Sequence, residues 1–181
     1  MLCPDIVRNT IEDNFLGRGV EHEVGVLRDR NRVIKDYDSR DFDPNTFETF
    51  YKPTSSLFHY LTDLMLANHL FGDDVRIEGF YAERESLHVV TTQPFVEGKH
   101  PSWEELVMGM EAQGLVHEIP DSSSARFWID AGPAGNLLVT DVHEDNVIVG
   151  RATRLLHPID VHFAFSSRTE RLKVLETLGL S

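Results

Sequence analysis

The sequence predicts an α+β fold made of two small lobes, and three observations support this prediction. The N-terminal half combines several short strand-like segments with one long helix-like segment. A connector flanked by proline and glycine, residues 94–100, separates this half from the rest of the chain. A length of 181 residues with 41% hydrophobic content is enough for two small cores. We therefore expect one lobe at residues 13–93 and a second at residues 101–181.

Composition restricts the classes of function. The formal net charge of −13 argues against nonspecific nucleic-acid binding, which needs a basic face, although a few local cations could still hold a nucleotide. The single Cys3 excludes an internal disulfide and a cysteine-based zinc site. No apolar stretch approaches the roughly 18 residues of a membrane span, and no signal segment precedes the first polar residues. We expect a soluble cytoplasmic protein with no membrane contact.

The N-terminal segments predict a helix followed by a hairpin. Apolar residues recur at helical spacing over residues 5–16, which predicts the first helix. Residues 20–27 and 32–37 read as two strands joined by a polar turn. The polar residues 38–53 contain Pro44 and Pro53 and are predicted to be a loop.

Two features of this hairpin are candidates for phosphate binding. Gly17 and Gly19 lie two residues apart ahead of the first strand of the hairpin, where they would let the backbone N–H groups approach a phosphate closely. Such a pair is also common in plain turns. Lys35 shares a strand face with Val33 and Tyr37, which places a cation on the apolar side. The ordinary alternative is an edge-strand lysine that maintains solubility.

A second helix is predicted to begin after a cap at Thr54 or Ser55 and to run to about Phe71, where Gly72 ends it. Its apolar positions form a broad stripe, and Asp63 is the only acid inside it. Most acids on helices are solvated, so Asp63 is a candidate only in combination with other residues.

The segments on either side of the connector are also predictable. Residues 75–81 and 86–92 read as strands. A helix at residues 102–113 begins with a Ser-x-x-Glu capping box, and a final helix is expected at residues 169–178. Between these helices, residues 126–130 are predicted to be a strand.

Residues 138–149 combine an apolar run, a polar turn and a second apolar run. Asp141 is followed five residues later by Asn146, and the apolar run 155–159 then delivers Asp160. This combination suits phosphoryl transfer, since the first Asp can orient or deprotonate a hydroxyl and the other two residues offer hard oxygen ligands for Mg²⁺. Asp and Asn are also ordinary turn formers, so a simple hairpin is the alternative.

A metal-dependent hydrolase is a further interpretation of the same region. It would use Asp141, His143, Asp145 and Asp160, with the histidine and the first aspartate as a metal-binding pair. The chain contains nine histidines, so one of them can lie close to an aspartate by chance.

Five segments in chain order carry a resemblance to a known fold. They are Leu16-Gly17-x-Gly19-x-x-His22-x-Val24, Val33-Ile34-Lys35, the stretch 90–98, Val139 to Asn146, and Ile159-Asp160-Val161. In the same order they resemble the glycine-rich loop, lysine strand, hinge, catalytic loop and metal-binding Asp of protein kinases. The catalytic loop is also similar to that of aminoglycoside phosphotransferases. Taken over residues 13–165, the pattern resembles the small kinase-like domain of polyvalent proteins from phages and conjugative elements.

The resemblance implies a bilobal protein-kinase-like fold, with a small antiparallel-sheet N-lobe plus one helix and a truncated C-lobe. It implies Mg-ATP-dependent transfer of the γ-phosphoryl group to an unidentified hydroxyl on a protein or small molecule. The implied roles are phosphate binding by Gly17, Gly19 and Lys35, pairing of Asp63 with the lysine, hinge contacts by Val90, Thr92 and Phe95, proton acceptance by Asp141, and Mg²⁺ binding by Asn146 and Asp160.

A non-catalytic alternative has the same fold. The chain would then be a pseudokinase that binds nucleotide, or a protein-interaction module. The retained set of Lys35, Asp141, Asn146 and Asp160 favours catalysis, because a pure scaffold does not need these clustered polar groups.

Overall fold

The computed structural model describes residues 2–18, 22–38, 57–83, 86–119 and 125–180, without the side chains of Arg18 and His22. Several predictions fall outside the described residues. They concern Gly19, most of the predicted loop at 38–53, and the cap at Thr54 or Ser55.

The chain divides into two compact units. The first unit contains Met1–Leu64 and Asp73–Phe95, and the second contains Met65–Gly72 and Val96–Ser181. The predicted lobe boundaries at 93 and 101 stay a prediction.

The first unit contains a five-stranded antiparallel sheet with the strand order β1-β2-β3-β5-β4. The strands are β1 (Phe15–Arg18), β2 (His22–Leu27), β3 (Arg32–Asp38), β4 (Arg76–Glu83) and β5 (Ser86–Pro94). The predicted hairpin is present, since β2 and β3 pair directly and Val24 lies opposite Lys35.

Helix α1 (Pro4–Asp13) is shorter than predicted. Asn14 ends it, because its backbone N–H donates to Ile11 O and its side-chain amide donates to Thr10 O. The next residue, Phe15, belongs to β1 and is 60% exposed, so its expected place on the helix was wrong. Asn14 O accepts from Val26 N at 2.8 Å, which turns the chain into the sheet.

Both faces of the first sheet are covered. On one face, Val7 and Ile11 of α1 pack with Ile34, Tyr81 and Val90. On the other face, Tyr37 and Val89 pack with Tyr60 of α2 (Leu57–Phe71). The central strand β3 therefore has buried side chains on both of its faces.

A buried polar cluster lies within this sheet. The Tyr81 hydroxyl donates to Asp36, and the His88 Nδ1 atom lies 3.2 Å from Asp36 Oδ1. The Tyr81 and His88 rings stack with their centroids 4.4 Å apart. Burial and the neighbouring Asp36 carboxylate raise the pKa of Tyr81, which keeps its hydroxyl protonated as a hydrogen-bond donor.

The second unit contains two small antiparallel sheets. The strand order is β11-β10-β6 in one and β12-β9-β8-β7 in the other. The strands are β6 (Gly98–Lys99), β7 (Val116–His117), β8 (Phe127–Asp130), β9 (Asn136–Thr140), β10 (Val147–Gly150), β11 (Leu156–Pro158) and β12 (His162–Ala164). The connector predicted at 94–100 thus contains a strand.

Two helices complete the second unit. Helix α3 (Trp103–Ala112) has the predicted capping box between Ser102 and Glu105, and α4 (Arg168–Thr177) is capped by the Ser167 side chain. In each helix, the serine side chain accepts a hydrogen bond from a backbone N–H group at the helix start. The core includes fully buried side chains from helices and both sheets, among them Leu66, Leu106, Phe127, Val139 and Val147.

The α+β class is therefore confirmed, with four α-helices and antiparallel sheets in the described residues. None of the helices described is both long and apolar enough to span a bilayer.

Replacing Gly98 by Ala is expected to lower the free energy of unfolding by about 1–3 kcal/mol. A Cβ at this position would lie 2.1 Å from Val149 O and 2.5 Å from the Ile148 side chain, so β6 would have to separate from β10. Urea unfolding measures the change. The matched control is Lys99→Ala, which removes only an exposed ion pair with Glu105 and should cost less than about 1 kcal/mol. Equal stability of the two variants would contradict the close strand approach.

Candidate active site

The loop that carries Asp141 connects two different sheets. It begins after Thr140, the last residue of β9, and ends at Val147, the first residue of β10. Strand β9 pairs with β8 and β12, whereas β10 pairs with β6 and β11. The simple hairpin that the sequence also allowed is therefore excluded.

The loop that carries Asp160 makes the same crossing in the opposite direction. In the registers, Thr140 lies opposite His162 and Val147 lies opposite Pro158. Residues 141–146 and 159–161 therefore fill the same gap between the two sheets. The Ile159 N–H donates to Asn146 O at 2.9 Å, which joins the two loops directly. The fold thus brings together the segments that carry Asp141, Asn146 and Asp160.

Asp141 has a backbone conformation that is uncommon outside glycine. Its φ angle is +62°, in the left-handed region, where Asp and Asn are the side chains best tolerated. Asn146 stabilises this turn, because its Nδ2 atom lies 3.0 Å from Asp141 O and 2.9 Å from Asp141 Oδ2. The amide nitrogen therefore uses its hydrogens on Asp141, and the amide oxygen remains as an acceptor.

His143 contacts the other oxygen of the same carboxylate. Its Nε2 atom lies 3.5 Å from Asp141 Oδ1, and its backbone N–H donates to Asp141 O at 3.1 Å. The side chains of Asp141 and His143 are 42% and 38% exposed, so both reach solvent. The arrangement leaves a solvent-accessible carboxylate with a fixed orientation.

Lys35 lies on β3 in the first unit, opposite Val24 of β2 and Thr91 of β5. The hydroxyls of Tyr60 and Thr91 are 3.4 Å apart, which places α2 over this part of the sheet. Asp63 follows Tyr60 by three residues, so it shares a helix face with it, and only 6% of its surface is exposed. This position is compatible with the predicted pairing of Asp63 and Lys35.

Asp73 is a candidate residue that sequence reasoning missed. Burial raises its pKa to about 7, and the nearby Lys35 charge opposes this shift. The segment is fixed by Asp74, which accepts from Arg32 at 2.9 Å and from Arg76 at 2.8 Å. Asp73 appears in the sequence as part of a polar helix-ending Gly-Asp-Asp, and no local signal distinguishes it from an ordinary turn residue.

Gly17 lies in β1 opposite Val24, next to an irregularity in the strand pairing. A Cβ added at Gly17 would meet no described atom within 4 Å, so this side of the strand is open.

The three predicted hinge residues differ in their surroundings. Val90 and Thr92 lie inside β5, with β3 on one side and β4 on the other. The Thr92 hydroxyl accepts from Arg32 Nε at 3.0 Å, and Thr92 O accepts from Arg32 at 2.9 Å. This placement does not suit the predicted backbone contact of Val90 and Thr92 with a base. Phe95 follows the strand, and its N–H donates to Asn31 O at 3.0 Å.

The metallohydrolase interpretation requires a cluster of ligands. Within the described ranges, no three His, Cys, Asp or Glu side chains come together as a metal site.

Replacing Asp73 by Asn is expected to stabilise the first unit at alkaline pH. The folded-state pKa of about 7 exceeds the ordinary 3.8, so the folded protein holds a proton that the unfolded chain releases, and Asp73 costs stability as pH rises between these values. The variant should be more stable than the parent by on the order of 1–3 kcal/mol at pH 8 and nearly equal at pH 4.

Thermal unfolding between pH 4 and 8 measures this difference. Asp74→Asn provides a matched control of opposite sign, because hydrogen bonds from Arg76 and Arg32 lower the pKa of Asp74. Its stabilising contribution is present at neutral pH and lost in acid, so that variant should be the less stable one near pH 7. If the effect of Asp73→Asn on stability does not change with pH, the raised pKa assigned to Asp73 is refuted.

Comparison with known proteins agrees with this geometry. Residues 6–167 match the family described as serine/threonine/tyrosine kinase found in polyvalent proteins. Neither the curated proteins nor the solved structures gave a significant match. The family match covers most of the chain and confirms the predicted protein-kinase-like resemblance, with which the helices and antiparallel sheets are compatible. The chain therefore belongs to the kinase family found in polyvalent proteins.

Proposed function

We propose that the chain is an Mg-ATP-dependent phosphotransferase that moves the γ-phosphoryl group to a hydroxyl acceptor. The observation that carries this proposal is the pairing of β9 with β12 and of β10 with β11. It places the loops of Asp141, Asn146 and Asp160 side by side. A hydroxyl-orienting carboxylate beside two oxygen ligands is the arrangement that phosphoryl transfer needs.

Asp141 is the proposed proton acceptor. The acceptor oxygen would form a bond to the γ-phosphorus while the bond to the β–γ bridging oxygen breaks, so ADP leaves and the hydroxyl proton passes to Asp141. Each carboxylate oxygen has two lone pairs, and Asn146 and His143 approach different oxygens. The carboxylate can therefore be oriented by both neighbours and still accept a proton.

Asn146 and Asp160 are the proposed Mg²⁺ ligands. An amide oxygen and a carboxylate are the hard donors that this ion prefers, and the Asn146 orientation leaves its oxygen as the acceptor. Their two loops are joined by the bond from Ile159 N to Asn146 O, which supports the proposal that both residues serve one ion. When bound, Mg²⁺ would neutralise charge on the nucleotide phosphates.

Lys35 is the proposed phosphate-binding cation, with Asp63 as its partner and the backbone at Gly17 and Gly19 covering the phosphates. A chain with net charge −13 repels ATP at long range, so a local cation must offset this repulsion. We assign a base contact to the connector at Phe95 rather than to Val90 and Thr92, whose strand is flanked on both sides.

The Lys35→Ala variant is expected to bind Mg-ATP roughly 10–100-fold more weakly, because it loses charge-assisted bonds to phosphate. Calorimetric titration with ATP, with and without Mg²⁺, measures this loss. Arg28→Ala is the matched control, since Arg28 is an exposed cation in the turn of the same hairpin. If both variants lose affinity equally, binding reflects general charge rather than a site at Lys35.

Asp141→Asn is expected to lower phosphoryl transfer by on the order of 10²–10³ while Mg-ATP binding persists. Release of labelled ADP and labelling of the protein itself provide readouts that need no known acceptor. Asp145→Asn is the control, because Asp145 is an exposed residue of the same loop that has no role in the proposed transfer. Undiminished transfer by Asp141→Asn would remove its assigned role. Binding without transfer by the parent protein would favour the pseudokinase alternative.

A further inference from the structure

His100 forms a link between the connector and the Asp141 loop that the proposed mechanism does not yet use. Strand β6 pairs with β10, with Gly98 opposite Gly150 and Lys99 opposite Val149. The next residue, His100, therefore lies beside the start of β10. Its Nδ1 atom is 2.9 Å from Glu144 O and 3.0 Å from Val147 O.

The chemistry of these contacts fixes the role of the Nδ1 atom. Both neighbours are backbone carbonyl oxygens, which only accept hydrogen bonds. Nδ1 must therefore carry a hydrogen and donate it to both oxygens. The following Pro101 is buried and restricts the backbone of His100 to extended conformations, which limits the positions that the ring can adopt.

The two accepting carbonyls flank Asn146 on both sides. The residues Glu144–Asn146 form a single 3₁₀ turn, which is a weak element by itself. The Asn146 N–H donates to His143 O at 3.0 Å, and Asn146 O accepts from Ile159 at 2.9 Å. His100 adds a side-chain bond to the carbonyls on either side of this residue, so the Asn146 backbone is held in place by its neighbours as well.

We propose that His100 is a positioning residue that holds the Asn146 turn in its active geometry through its Nδ1–H group. The inference rests on the proposed phosphotransferase function, in which Asn146 is a metal ligand. The close approach of β6 to β10 at Gly98 is what brings the ring within reach of the turn.

Three substitutions test which ring atom matters. His100→Asn places an amide N–H near the position of Nδ1 and should keep the link. His100→Gln extends its amide to the position of Nε2, and His100→Ala removes the donor, so both should lose the link. His157→Ala is the control, because His157 lies in the same sheet but contacts Thr153 through Nε2.

The first measurement is independent of activity. The ¹⁵N shifts of the His100 ring should show the neutral Nδ1–H form at alkaline pH. Hydrogen exchange at the Asn146, Val147 and Ile159 amides should be roughly 3- to 10-fold faster in the Ala and Gln variants, and unchanged in the Asn and His157 variants. Amides of β3 should be unaffected in all four, which excludes global unfolding. An Nε2–H ring, or equal exchange in all variants, would overturn the link.

The second measurement is the rate of ATP turnover with water as acceptor. The Ala and Gln variants should show a kcat lower by roughly 3- to 10-fold with KM for ATP unchanged, and the Asn variant should recover the parental rate. Faster exchange without any change in kcat would overturn the positioning role. If the parent protein neither turns over ATP nor labels itself, the proposed function fails and, with it, the positioning role of His100, while the exchange data would still decide whether the link exists.

Discussion

The pairing of four short strands around two loops is the constraint on which the candidate active site depends. Because β9 pairs with β12 and β10 with β11, residues 141–146 and 159–161 must occupy the same gap. A shift of one residue in either register would reverse the side-chain directions of a strand and separate the loops. These strands contain only three to five residues, so backbone bonds alone would fix their registers weakly.

Core packing helps to fix the registers of these four strands. Each of the four strands contributes a buried apolar side chain to the second core: Val139, Val147, Leu156 and Phe163. A register slip would move these side chains from the core to the opposite face, and burying each of them contributes on the order of 1.5–3 kcal/mol. The geometry of the polar loops is thus a consequence of apolar packing.

The sequence was sufficient to predict features that depend on local chemistry. The capping box at Ser102, the end of α2 at Gly72 and the β2–β3 hairpin follow from residues close together in the chain. The order of the motifs also predicted the family. The capping box, the helix end and the hairpin are predictable because caps and turns satisfy backbone groups within a few residues along the chain.

Features that depend on distant partners were not predictable from the sequence. The assignment of β9 and β10 to different sheets depends on pairing with β12 and β11, and nothing in residues 138–149 distinguishes this arrangement from a hairpin. In the sequence Asp73 resembles an ordinary turn residue, and only the structure shows its burial near Lys35. The connector also gave no sign that Gly98 and Lys99 would form a strand with β10.

Backbone hydrogen bonds act together with the Asn146 side chain in fixing the shape of the Asp141 loop. Val142 N donates to Ala125 O at 3.0 Å, which anchors the loop to the segment before β8, and Ile159 N donates to Asn146 O. The left-handed conformation of Asp141 costs on the order of 1–3 kcal/mol and persists because these bonds hold its neighbours in place. A loop fixed in this way can tolerate changes at its carboxylates without losing its path. The polar side chains of this loop can therefore serve the reaction, while packing of the second core fixes where the loop lies.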